Sequence, residues 1–166
     1  MFTTRLARID DATSIAEIQI NSWTDRGLKI ASIDDLDHMS AQWAAAIQGQ
    51  QGEGRIIVVE KDRSSTLVGC AGIVRSPKSQ NAELILLEVL PAERRQQVGS
   101  RLTNACADIA KGFGADFIEA WIGIEEVAAI QLLEGSGWER TGAERLSSGM
   151  DSEYLREEVK LHTSLR

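Results

Sequence analysis

Val89-Leu90-Pro91-Ala92-Glu93-Arg94-Arg95-Gln96-Gln97-Val98-Gly99-Ser100-Arg101-Leu102 is the stretch that decides the fold. It reads as a strand halted at Pro91, a short basic loop, and the first turn of a helix. The helix's apolar face continues through Cys106, Ile109 and Phe113. A loop that opens a helix presents main-chain N–H groups that have no intrahelical acceptor, and the helix dipole favours negative charge there. Arg94 and Arg95 add positive charge at the same place. The segment therefore predicts an anion site at residues 97 to 100, with the Ser100 hydroxyl as an extra donor.

Upstream, Thr4 to Arg8 reads as a first strand. Asp10 or Asp11 then caps a helix with Ala12, Ile15, Ile18 and Ser22 on one face. The pattern breaks at Gly27, and a second helix starts near Asp34 or Asp35 and runs through Leu36, Met39, Trp43 and Ile47. Arg55 to Glu60 and Thr66 to Val74 form a hairpin, and Gly69 and Gly72 mark a bulge or a close backbone approach. Ala82 to Leu90 is an apolar strand interrupted by Glu83 and Glu88. Downstream, the basic-loop helix ends at Gly112 or Gly114. Phe117 to Ile122 is a buried strand, Glu125 to Glu134 a short helix, and Trp138 to Leu146 with Glu153 to His162 a terminal hairpin around Ser147-Ser148-Gly149. The order β-α-α-β-β-β-α-β-α-β-β predicts an α/β (α+β) domain over residues 1–166. Helices flank a mostly antiparallel mixed sheet that has one parallel crossover.

Composition narrows the function. The chain has 166 residues, 43% hydrophobic and 26% charged, as in a soluble globular domain. A net charge of −7 lacks the basic face that a sequence-independent nucleic-acid binder needs, and is compatible with a cationic substrate such as an amine. No apolar run is long enough to span a bilayer and no leader-like stretch follows Met1, so no membrane partner and a cytoplasmic location are expected. Cys70 and Cys106 fit buried, reduced packing positions, and two separated histidines, His38 and His162, give no metal cluster. Gly49-Gln50-Gln51-Gly52-Glu53-Gly54 precedes a strand, which is the wrong context for a nucleotide loop.

The Arg94-Arg95-Gln96-Gln97-Val98-Gly99 segment resembles the pyrophosphate loop of the GCN5-related N-acetyltransferases (GNAT), with Gln97 where that family's first glycine stands. Three further segments look like the family's in the same order: Ile18-Gln19-Ile20-Asn21-Ser22-Trp23, Val68-Gly69-Cys70-Ala71, and Leu133-Glu134-Gly135-Ser136-Gly137-Trp138. The resemblance covers nearly the whole chain. It implies a GNAT-like acyl-CoA N-acyltransferase fold, with acetyl-CoA as cofactor and a small-molecule or peptide amine as acceptor. A homodimer is left open.

The same resemblance implies that the fourth strand splays from the fifth after a bulge, so that the cofactor's pantetheine arm pairs with exposed main chain. The matching positions are Leu87, Glu88, Val89 and Leu90. Arg94, Arg95, Gln96, Gln97, Val98, Gly99 and Ser100 then hold the phosphates, Glu126 and Ala129 contact the cofactor, and Trp23 forms the acceptor wall. Gln97 is expected either at an ordinary helical φ or displacing the phosphate, and a Cβ at Gly99 is expected to enter the phosphate site.

Glu83 and Glu88 are the candidate proton acceptors. Five residues apart, they lie on opposite faces of the strand unless a bulge intervenes. Each also fits an exposed or ion-paired strand residue. The family's tyrosine, which protonates the leaving thiolate, falls at Leu133, and its helix-opening asparagine falls at Glu126. Tyr154, the only tyrosine, could reach the cleft from the last strand. These departures keep two alternatives open: a catalytically weak or inactive acyl-CoA sensor, and an interaction module with a closed groove.

Overall fold

The computed structural model describes residues 1–25, 33–49, 54–62, 64, 66–147 and 155–166. Its elements run β1 (Phe2–Leu6), α1 (Ala12–Asp25), α2 (Ile33–Gln48), β2 (Gly54–Lys61), β3 (Thr66–Arg75), β4 (Asn81–Val89), α3 (Val98–Gly112), β5 (Phe117–Gly123), α4 (Val127–Gly135), β6 (Glu139–Ser147) and β7 (Arg156–Ser164). The predicted order holds throughout. Short 3-10 turns at Ile9–Asp11 and Pro91–Glu93 precede α1 and the α3 loop.

Among the described residues seven strands form one sheet in the order β1-β2-β3-β4-β5-β7-β6, and its only parallel pair is β4–β5, joined through α3. All other neighbours are antiparallel. Each face of the sheet carries its own core. Val98, Leu102, Cys106 and Ala110 of α3, with Ile130 and Leu133 of α4, pack on Ile57, Val59, Ala71, Ala82 and Leu84. Ile15 and Ile18 of α1 and Ile47 of α2 pack on Ile56, Val58, Cys70 and Leu86 from the other side. The middle of β2, Ile56 to Val59, is thus apolar and buried at four successive positions because both faces are covered. Burial of each such large side chain is worth roughly 1.5–3 kcal/mol.

Several local expectations change. β1 starts two residues earlier than expected, at Phe2, because its ladder with β2 begins at the Phe2–Lys61 pair. Asp11 does not cap α1. Its carboxylate reaches back to the Arg8 N–H at 2.6 Å and takes both terminal nitrogens of Arg5, at 2.7 and 3.0 Å. The Arg5 guanidinium also donates to Glu60 at 2.6 Å, tying the first turn to β2. Burial would raise Asp11, but the bonds from Arg5 and Arg8 hold it below the usual aspartate range.

α3 closes as expected. Gly114 takes φ +77 and the Ala115 N–H returns to Ala110 O at 3.1 Å. Cys70 and Cys106 are both free and buried, one in each core, so the sheet separates them. Among the described residues no helix is long and apolar enough to cross a membrane. The predicted break at Gly27 and most of the Ser147-Ser148-Gly149 turn lie outside the described residues.

Candidate active site at the parting of two strands

β4 carries a bulge. Gly72 of β3 pairs with Leu86 and Ile73 with Leu84, so Ile85 is the extra residue. A Cβ on Gly72 would stand 3.3 Å from Ile85 Cγ1, which is why glycine suits the partner position. The bulge reverses the alternation of β4. Before it, Ala82 and Leu84 face α3; after it, Leu87 and Val89 do, while Leu86 joins the core under α1. Glu83 and Glu88 consequently share one face, the α1 side. The intervening bulge that the sequence reading left open is what brings the two carboxylates together.

The bulge also ends the β4–β5 ladder. Parallel pairing runs from Asn81–Phe117 to Leu84–Ala120 and stops. Beyond it, β3 still pairs with β4 as far as Val89, and no strand lies on the other edge of Leu86 to Val89 among the described residues. The wedge between the two strands is a cleft of about 340 Å³. Gln19 and Trp23 of α1 form one wall, Glu83 to Glu88 of β4 the floor, and Trp121, Ile122, Glu126 and Ala129 the second wall. Arg145, Ser147, Arg156 and Glu158 of the last hairpin close the far side.

Electrostatics within the cleft are partly paired. Arg145 bonds Glu158 at 2.8 Å and lies over the Trp121 ring at 4.4 Å. Arg156 pairs with Glu126, whose carboxylate also accepts from the Gly123 N–H at 3.2 Å. A side chain at Gly123 would collide with the Arg156 guanidinium, so the glycine leaves room for that pair. Glu88 is 8% exposed and accepts a hydrogen bond from the Ser22 hydroxyl. The Glu83 side chain makes no hydrogen bond or ion pair among the described residues, while its main chain sits in the ladder between Val74 and Glu119. The Cys70 thiol, cross-strand from Glu88, is pushed up by burial and by that carboxylate's charge.

Past Val89 the chain reaches the predicted anion site. The Leu90 N–H donates to Val68 O at 2.9 Å, so of the expected main-chain donors Leu90 is already committed to β3. Gln97, the residue before α3, is left-handed with φ +67, and Arg95 with φ +64 is too. Gln97 is thus not at the expected ordinary helical φ but in the left-handed region that glycine adopts without strain. Its carbonyl accepts from the Arg101 N–H at 3.0 Å, and the N–H groups of Val98, Gly99 and Ser100 meet no acceptor among the described residues. Arg94, Arg95, Gln96 and Gln97 are exposed around them. Arg94 pairs with Asp25 at the end of α1, 2.7 Å away.

The expectation that a Cβ at Gly99 would enter the phosphate site is corrected. That Cβ would stand 2.6 Å from Leu132 Cδ2 of α4 rather than in the anion site. Gly69 serves α3 likewise, since a Cβ there would meet Val98 Cγ1 at 2.8 Å. Leu133 is fully buried against α3, away from the cleft. Tyr154 lies outside the described residues. Gln19, Trp121, Arg145, Arg156 and Glu158 were not singled out as site residues from sequence. The alternation of β5, with Ile118, Ala120 and Ile122 in the core, is the one signal that would have turned Trp121 outward.

The same architecture recurs in solved structures. The chain superposes on yncA of Salmonella typhimurium, determined with acetyl-CoA, with a TM-score of 0.76 at 20% identity, covering 100% of this chain and 95% of that one. An N-acetyltransferase of Staphylococcus aureus Mu50 gives 0.77 at 19% identity, covering 100% and 99%. The paia N-acetyltransferase of Thermoplasma acidophilum, in complex with coenzyme A, gives 0.70 at 16% identity, covering 99% of each. No curated protein matches the chain significantly by sequence. The model of the acetyltransferase (GNAT) family matches residues 14–138. With three quarters of its length matched and its sheet parted after the β4 bulge, the chain belongs to the GNAT acetyltransferase family.

Proposed function

We propose that the chain, as one domain over residues 1–166, transfers an acetyl group from acetyl-CoA to a primary amine of a small molecule or peptide, by direct attack in a ternary complex. The observation that carries this reading is the parting of β4 and β5 beyond Leu84–Ala120, with two carboxylates on one face of the opening. The residues fit the cofactor: beyond Leu84 no strand among the described residues lies on the β5 side of β4, and that edge leads to a helix start where the Val98, Gly99 and Ser100 N–H groups meet no acceptor among the described residues. Acetyl-CoA would supply the acetyl group as an activated thioester.

The chain's own part is to bind, orient and move a proton. Main chain at Leu87 and Val89 offers a ladder to an extended amide chain, as a sheet edge does for a strand. Gln97 to Ser100 hold phosphate oxygens through N–H groups, with Arg94 and Arg95 adding mobile charge. Glu126 and Ala129 border the cofactor from α4. Trp23 and Gln19 wall the acceptor side. Glu88, on the α1 face of β4, accepts the amine proton as the nitrogen attacks, and Glu83 on the same face is the alternative acceptor through water. Leu133 has no proton to give, so the side chain at that position would not protonate the cofactor's sulfur. The separate burial of Cys70 and Cys106 suits a reducing compartment, and we place the protein in the cytoplasm.

One observation favours a binding-only rival. Leu133, at the family's tyrosine position, is sealed in the core. Calorimetric titration with acetyl-CoA, followed by a free-thiol release assay across an amine panel, tests both readings. Binding with amine-dependent thiol release supports the enzyme. Binding without release for any amine supports the sensor, and absence of binding overturns both.

A further inference from the structure

Ser22 differs from Ser40 of α2, Thr103 of α3 and Ser136 just past α4. Ser40 and Ser136 return their protons to carbonyls four residues back, Leu36 O at 2.7 Å and Leu132 O at 2.9 Å. Thr103 does the same with Gly99 O at 3.1 Å. That local bond is the usual refuge of a helical hydroxyl. Ser22, 1% exposed in the last turns of α1, donates across the interface to Glu88 Oε2 on β4 instead. We propose that Ser22 is a positioning residue: its hydroxyl holds the Glu88 carboxylate in its charged form at the cleft, ready to accept the amine proton. The inference rests on the proposed acetyl transfer with Glu88 as the base.

The surroundings give the hydroxyl this work. A carboxylate that is 8% exposed is driven toward its neutral form by desolvation, and a hydroxyl donor opposes that drive. Among the described residues, Cys70 stands cross-strand from Glu88, and Glu83, Glu126, Arg145, Arg156 and Glu158 line the same cleft. Cys70 of β3, its own thiol pushed up by burial and by Glu88, stays neutral. Glu83 of β4 is a like charge on the same face. Across the cleft, Arg145 of β6 is engaged by Glu158 of β7, and Arg156 of β7 by Glu126 of α4. Loss of the Ser22 donor leaves the buried charge less supported.

The test uses the full chain with carboxyl-labelled glutamate, titrated by carbon NMR, Glu88 being assigned as the resonance missing from a Glu88→Gln variant. In Ser22→Ala the Glu88 titration is expected to rise by about one unit, the size of one hydrogen bond to a charged group. The acidic limb of the pH–rate profile should rise with it, so that kcat below the limb falls about tenfold while acetyl-CoA affinity holds. Ser22→Thr, which keeps the donor, should restore both. Should the alanine variant fail to fold, Ser22→Cys, with the same shape and a weak donor, gives the same readout.

An unmoved Glu88 titration in Ser22→Ala overturns the proposal. So does a titration that moves while the acidic limb stays, because Ser22 then tunes a carboxylate that is not the base. Wild-type protein that releases thiol with no amine instead overturns the enzymatic reading, and the NMR titration still decides whether Ser22 holds the charge.

Discussion

Adding a methyl group at Gly99 separates two accounts of the motif. In the account from sequence, the glycine keeps a Cβ out of the phosphate site. In the structure, that Cβ points at α4 and would stand 2.6 Å from Leu132 Cδ2, with Cδ1 and Cγ at 3.5 and 3.6 Å. The first distance is about 1 Å inside ordinary carbon–carbon contact. Leu132 is half-buried and its Cδ2 is a side-chain end, so it yields partly. Overpacking of this kind costs about 1–3 kcal/mol. Gly99→Ala should therefore lower the melting temperature by about 2–9 °C for a chain of this size. Leu132→Ala alone should destabilise by removing packing. The double variant should lose about 1 kcal/mol less than the sum, since the clash has gone. Thermal melts of the four proteins measure the cycle, and calorimetry with acetyl-CoA measures binding. A tenfold loss of affinity in Gly99→Ala, with an unchanged melt and no coupling to Leu132, would refute the packing account and restore the phosphate one.

Gln97→Gly should stabilise by about 0.5–1 kcal/mol: relief of a left-handed side chain is worth about 1–2 kcal/mol, less the unfolded-state entropy of glycine. Acetyl-CoA affinity should hold, because the donor is main chain; a lower melting temperature would contradict the φ assignment. Asp25→Asn frees Arg94 from its carboxylate and should tighten acetyl-CoA about two- to fivefold at low salt, the range of an exposed pair. An equal or weaker affinity would show that Arg94 does not serve the phosphates. Asp11 is held low in the fold, so its contribution is present above the ordinary aspartate range and is lost as pH falls through its folded value. Melts from pH 7 down to 2 should show wild-type stability falling below about pH 4, and Asp11→Asn should be less stable at neutral pH but flatter through that window. A variant curve parallel to wild type would sink the assignment.

Element order was legible because each element carries its own local cue: Pro91 before the basic loop, the 3–4 spacing from Val98 to Cys106, and Gly114 past the helix end. The two β3 glycines were legible as a pair of alternatives, and the structure uses both. Gly69 admits α3, and Gly72 faces the bulge. The bulge itself left no trace in the residues. From Leu84 to Leu87 every side chain is apolar, so a one-residue slip changes nothing that alternation can register. The faces of Glu83 and Glu88 hung on that slip. The left-handed turn at Gln97 was hidden because glutamine does not announce positive φ. The far wall was hidden because β7 inserts between β5 and β6, a long-range pairing that no short window contains. Of the four tryptophans, Trp23 and Trp121 line the cleft, whereas Trp138 is buried in the core beside α3 and Trp43 packs on the core beneath α1.

The last turn of α1 links the parts of the site. Ser22 bonds Glu88, Trp23 faces the cleft and Asp25 pairs with Arg94 at the anion loop, all within four consecutive residues. The helix is seated by Ile15 and Ile18, which are almost wholly buried against β2, β3 and β4. Small movements of that seat shift all three contacts together, because a helix translates as a rigid element. A residue that loosens the seat without touching the cleft, such as Ile18→Ala, should therefore lower kcat and raise the KM for acetyl-CoA at once. A change confined to one contact, such as Asp25→Asn, should move only the cofactor's affinity. Trp23, Glu88 and Arg94 lie on three different elements, and the last turn of α1 carries the first and bonds the other two through Ser22 and Asp25.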